Sequence, residues 1–74
     1  QKHLNKNKKI LDIGCSDGSF LDFAKRLHLQ THGIEYSTVA ATICTEKGHN
    51  MHTNLSSISE KFDIITLFDV IEHI

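Results

Sequence analysis

The segment Ile10-Leu11-Asp12-Ile13-Gly14-Cys15-Ser16-Asp17-Gly18-Ser19-Phe20 restricts this chain more than any other part of it. Apolar residues run into an acid, then into a loop holding two glycines, then into residues at helical spacing. A strand that turns into a helix this way brings bare backbone close to a small ligand, because Gly lacks Cβ and takes positive φ without strain. Ser16 fits the middle of such a loop if its φ is negative.

Periodicity assigns the rest. Lys9–Ile13 reads as a short buried strand. Phe20, Phe23, Ala24 and Leu27 recur at helical spacing, with Ser16, Asp17 or Ser19 as the N-cap. Thr31–Glu35 is a second strand ending in an acid. Ser37 or Thr38 caps a second helix whose face is Val39, Ala40, Ile43 and Cys44, and Gly48 stops it. Asn50–Thr53 is a weak third strand, and Leu55–Lys61 a loop or single helical turn. Phe62–Phe68 is the strongest strand, with Ile64, Ile65, Thr66, Leu67 and Phe68 running without a break, a pattern that predicts burial on both faces. Asp69 then caps a helix beginning Val70-Ile71-Glu72-His73. Such strand–helix alternation is an α/β layer fold with right-handed crossovers.

At 74 residues the chain is at most one small domain, burying only about 60% of its unfolded surface. Its net charge of −1 gives no global pull toward nucleic acid or anionic membranes. Lys2, Lys6, Lys8 and Lys9 read as a solvated lead-in to the first strand. No apolar run approaches the ~20 residues of a membrane span, so no membrane partner is expected. Cys15 and Cys44 fit no zinc or redox spacing and are expected as reduced thiols of a cytoplasmic protein. His3, His28, His32, His49 and His52 show no ligand spacing and are expected mostly at the surface. The chain starts at Gln1 and stops at Ile74 where a helix is beginning. It therefore reads as a piece of a larger protein.

The glycine loop fails two rival patterns. A dinucleotide fingerprint from Gly14 requires glycines where Ser16 and Ser19 stand, and a P-loop requires Gly-Lys-Ser/Thr where Ser19-Phe20-Leu21 stands. Glu35 lies 35 − 14 = 21 positions after Gly14, close to the ~20-residue offset at which an acid ending the second strand meets a ribose. Such a carboxylate accepts from both vicinal hydroxyls.

What remains is acid-x-Gly-x-x-x-Gly at Asp12–Gly18. It resembles the first signature of the class I methyltransferases that use S-adenosylmethionine, with Ser16 in place of the middle glycine. A second block, Phe62-Asp63-Ile64-Ile65-Thr66-Leu67-Phe68-Asp69-Val70-Ile71-Glu72-His73, resembles one common in small-molecule methyltransferases of the ubiquinone-biosynthesis type.

The resemblance implies a partial doubly wound, Rossmann-like parallel sheet of strand order 3-2-1-4, truncated before its C-terminal strands. Residues 1–74 would then be the N-terminal, cofactor-binding part of a single methyltransferase domain, and the absent half would cover the last strand. S-adenosyl-L-methionine is the implied cofactor and a small molecule the implied methyl acceptor. Gly14, Cys15, Ser16 and Gly18 would hold its methionine–ribose side, and Asp12 would orient the loop or the ammonium group through water. Glu35 would hold the ribose, with Tyr36 against the adenine. Asn54 and Leu55 follow the third strand where the adenine amino group is met, and Phe68 and Asp69 border the methionine part. No general base and no oligomeric state are assigned.

Asp69, Glu72 and His73 share one helix face and are similar to a metal-binding acid-x-x-Glu-His element of small-RNA 2′-O-methyltransferases and some quinone-ring O-methyltransferases. An N-cap followed by first-turn charges explains them without a metal, and no metal is assigned. Two readings from other classes stand beside the enzyme: a non-catalytic remnant serving as an interaction module, and a nicotinamide-dinucleotide domain.

Overall fold

A computed structural model describes residues 8–67. In chain order it contains β1 (Lys9–Ile13), α1 (Ser19–Arg26), β2 (Gln30–Ile34), α2 (Thr38–Glu46), β3 (Asn50–His52), a 3₁₀ turn (Leu55–Ser57) and β4 (Ile64–Thr66). The strands form one parallel sheet in the order β3-β2-β1-β4. This is the expected Rossmann-like α/β arrangement. Within the described residues the expected elements appear with ends shifted by one or two residues, and the last strand is shorter than its apolar run. The helix expected after Asp69 lies outside them.

Alternation along β1 divides the core. Ile10 points to the face covered by the helices, where it clusters with Cys15, Leu21, Ala24 and Cys44. Leu11 is equally buried but points to the reverse face. There the crossover from β3 to β4 covers it, leaving a cavity of about 450 Å³ lined by Leu11, Leu55, Ile58, Phe62 and Ile65 among others. Gly33 in β2 permits the close approach on the helical side. A Cβ there would lie 2.7 Å from Cys15 Sγ and 3.0 Å from Leu21 Cδ1.

The helices end alike. Leu29 and His28 donate to the Ala24 and Lys25 carbonyls, and His49 and Gly48 donate to those of Cys44 and Thr45. Both sets are the paired bonds of a Schellman ending, with His28 (φ 68) and Gly48 (φ 91) in the left-handed position. Ser37 caps α2 by accepting from the Ala40 N–H.

Several expectations are corrected. The N-cap of α1 is Gly18, in the left-handed region and without a side-chain cap. Asp17 instead accepts from the Ser19 N–H and hydroxyl. On α1 Ala24 is inward as expected, but its buried companion is Leu21, while Phe23 and Leu27 are exposed. On α2 only Cys44 is fully buried and Val39 is 73% exposed. β4 holds the edge position that the 3-2-1-4 order implied, but with Ile65 55% exposed it is not covered on both faces among the described residues.

The histidines depart furthest from expectation: His32 and His49 are only 5% and 4% exposed. His49 Nε2 lies 2.8 Å from Asp22 Oδ1 on α1, and its Nδ1 lies 2.6 Å from the Thr31 hydroxyl on β2. Lys47 donates to Asp22 Oδ2 and to the Asp17 carbonyl. This chain of polar contacts joins α1, β2 and the end of α2. Because both imidazole nitrogens are partnered, its burial leaves no orphaned polar atom.

The Lys47 ammonium and then the His49 imidazole hold the Asp22 carboxyl below its usual range, and bonds from Ser19 do the same for Asp17. Folding therefore binds these groups in their ionised form. Their contribution is complete above the ordinary carboxylate pKa of about 3.9 and fades as pH falls through the lower folded values. Urea unfolding midpoints should drop below about pH 4, and Asp22→Asn should flatten that acid limb. Gly33→Ala should cost about 1–3 kcal/mol by overpacking against Cys15 and Leu21, read from the same urea curves.

Candidate functional site

Parallel strands place all their carboxyl ends on one edge, and there β1 gives way to the glycine loop. Gly14 and Cys15 donate their N–H groups to the Ile34 carbonyl at the tip of β2. Gly14, Ser16 and Gly18 have φ of 75°, 55° and 84°. Ser16 thus adopts the left-handed conformation itself, contrary to the expected negative φ. The loop keeps the shape a glycine would give it.

What holds Ser16 there is Glu35. Oε1 of Glu35 accepts from the Ser16 N–H at 2.7 Å, and Oε2 accepts from the Ser37 N–H at 2.9 Å. One carboxylate therefore ties the loop after β1 to the turn that starts α2. A carboxylate has about four acceptor positions, so each oxygen retains one for a ligand hydroxyl.

Two open cavities flank this clamp. One of about 230 Å³ is lined by Asp12, Gly14, Cys15, Ser16, Asp17, Ser19 and Phe20. The other, about 430 Å³, is lined by Glu35, Tyr36, Thr38, Ala41, Thr42, Thr45, Glu46 and Thr53. Ser16 borders the first and Glu35 the second, so their hydrogen bond links the two. Asp12 is buried, and its Oδ1 accepts from the Thr66 hydroxyl at 2.6 Å, fastening β4 beside the loop. Tyr36 is 74% exposed, leaving its ring open to a partner.

Gly18 is required from behind. A Cβ there would meet Cys44 Sγ at 3.0 Å and His49 Cδ2 at 3.3 Å. Cys15 and Cys44 are free thiols with sulfurs 3.7 Å apart, and Cys44 donates to the Ser16 carbonyl. Burial is the main influence raising both thiols above the usual range. Cys15 is buried and packs against Cys44 and Gly33.

Not every expected residue joins this edge. Asn54 Oδ1 accepts from the Ser57 N–H and the Ser56 hydroxyl, capping the 3₁₀ turn. Both acceptor positions of that oxygen are thereby used within the chain. Leu55 lines the reverse-face cavity instead. Phe68, Asp69, Glu72 and His73 lie outside the described residues. Sequence reasoning missed Thr53, Thr38, Thr42 and Thr45, which carry no motif and reach the cavity only because α2 packs beside β3. Ser37 was expected only as a helix cap, although its N–H also holds Glu35.

A family model described as a methyltransferase domain matches residues 1–74. The chain is 29% identical, over 90% of its length, to the ubiquinone biosynthesis O-methyltransferase of Glaesserella parasuis serovar 5 (strain SH0165), covering 35% of that protein. It is 33% identical, over 89% of its length, to the enzyme of the same name from Bradyrhizobium sp. (strain ORS 278), covering 30% of it. It therefore spans about a third of the curated relatives it matches. The crystal structure of the plantazolicin methyltransferase BpumL, in complex with a pentazolic desmethylPZN analog and SAH, superposes with a TM-score of 0.66 at 28% identity. That match covers 86% of this chain and 29% of the other.

A left-handed Ser costs about 1–2 kcal/mol, against the roughly 0.5–1 kcal/mol of extra chain entropy that Gly loses on folding. Ser16→Gly should therefore leave stability unchanged or raise it by up to about 1 kcal/mol, as chemical denaturation would show.

Proposed function

Because the chain belongs to the methyltransferase-domain family, we propose that it supplies the cofactor-binding part of an S-adenosylmethionine-dependent methyltransferase with a small-molecule acceptor. The observation that supports this most is the Glu35 clamp. It aims a carboxylate with spare acceptor capacity at the loop where a nucleoside would lie across the tips of β1 and β2. The residues present fit the group: spare acceptor positions for the ribose at Glu35, the cavity bordered by Gly14 and Ser16 for the methionine side, and an exposed aromatic at Tyr36 for the adenine.

When bound, S-adenosylmethionine brings an activated sulfonium methyl that an acceptor oxygen, nitrogen or carbon attacks in line. The chain's own contribution is position. Glu35 fixes the sugar, and Gly14, with no side chain, keeps bulk off the approach. Asp12, locked by Thr66, orients the loop or meets an ammonium group through water. Thr53 and α2 wall the adenine side, a role that Asn54, used as a cap, leaves to them. The relatives' names and the neighbour's bound analog favour a quinone-like or natural-product acceptor. Phe68 and Asp69 remain the proposed border of the methionine part. We place the protein in the cytoplasm, where its two neighbouring thiols stay reduced.

Calorimetric titration with S-adenosylhomocysteine tests the reading. Charge-assisted hydrogen bonds contribute about 1.5–3 kcal/mol, so Glu35→Ala should weaken binding by roughly 10- to 100-fold. Glu35→Gln, which keeps an acceptor for the Ser16 N–H, should lose less, and NAD should not compete. No heat with either ligand would favour the non-catalytic interaction module instead.

A further inference from the structure

On the reverse face of the sheet, away from the glycine loop, the crossover to β4 brings together side chains distant in sequence. His32 lies in β2, His52 in β3 and Glu60 on the crossover. His32 Nδ1 is 2.9 Å from His52 Nε2, and its Nε2 is 3.8 Å from Glu60 Oε1. One nitrogen from each imidazole and one Glu60 oxygen all lie within 4.8 Å of one another. The imidazole planes are nearly parallel, at 10°, and the Phe62 ring meets His32 edge-on at a centroid distance of 5.0 Å.

We propose that His32, His52 and Glu60 form a site for a borderline divalent transition-metal ion, Zn²⁺ foremost. Two imidazoles and a carboxylate are a donor set suited to Zn²⁺, with water completing the tetrahedron. Bonds of about 2.0–2.2 Å require ligand atoms about 3.2–3.6 Å apart. Only one His32 nitrogen can bind the ion, so the 2.9 Å and 3.8 Å contacts, made by different nitrogens, are not both ligand edges. With the three ligand atoms within 4.8 Å of one another, His52 and Glu60 must draw toward the chosen nitrogen by up to about 1.5 Å. His52 is half-buried on the edge strand and Glu60 is exposed, so both can move while buried His32 stays fixed. The Glu60 side gives the ion a path from solvent, and Phe62 shields the opposite flank.

Lys9 gives the proposal a signature. Its ammonium lies 2.8 Å from Glu60 Oε1, where it occupies one carboxylate oxygen and repels a cation. The bound ion would tie β2, β3 and the crossover together on the reverse face of the sheet, with His52 pairing with Ile34 next to Glu35. Its readout is metal binding itself, which does not require the cofactor.

Titration of the chain with Co²⁺, followed by visible absorption, reads the site directly. One equivalent should give the intense bands of tetrahedral cobalt, Zn²⁺ should displace it, and Zn²⁺ should raise the thermal midpoint. Glu60→Gln, at an exposed position, and His52→Ala should each weaken Co²⁺ binding at least tenfold. Lys9→Gln should tighten it several-fold. Circular dichroism checks that His52→Ala remains folded; if it does not, Glu60→Gln decides. Absence of the bands, or bands that survive Glu60→Gln at unchanged affinity, would overturn the site. So would bands abolished by His73→Ala but retained in His52→Ala.

Discussion

The clamp between the Glu35 carboxylate and the N–H groups of Ser16 and Ser37 is the contact on which the carboxyl edge depends. Strand pairing brings β1 and β2 to the same height, but pairing alone leaves the following loops free to splay. One anion accepting from both loops removes that freedom. It also supplies the force that keeps a serine in backbone space where glycine is ordinarily found. The acid that ends β2 thus shapes the loop that follows β1, before any ligand is considered.

Much of this was legible in the sequence because the signals were local. Gly14, Gly18 and Gly48 announced turns, Ser37 announced a cap, and the apolar run Lys9–Ile13 announced a buried strand; all took those positions. The offset of Glu35 from Gly14 announced an acid for a ligand ribose, but its bond to the Ser16 N–H carried no signal in the sequence. The order of the strands came from the family resemblance, since periodicity says nothing about which strand lies beside which.

What escaped was set by tertiary contact. Leu21 escaped notice as an inward residue of α1, because the room for its side chain comes from Gly33 on β2, far away along the chain. Ile64 and Ile65 read as doubly buried, yet burial requires a neighbour on each side, and among the described residues β4 pairs only with β1. His32, His49 and His52 carried no motif because their partners, at Glu60, Asp22 and Thr31, are far away along the chain. A polar residue in a strand reads as exposed until the group that satisfies it is known.

The close fit behind Gly18 has an implication for how the two ends of α2 relate to ligand binding. With Cys44 Sγ touching that glycine and donating to the Ser16 carbonyl, the loop rests on a sulfur atom and not on a flexible hydrocarbon. Any adduct formed on that thiol would have nowhere to go except into the turn above it. A helix whose outer surface faces solvent thereby acts as the floor of the cradle, and a modification on its hidden side would be felt first by whatever lies on top.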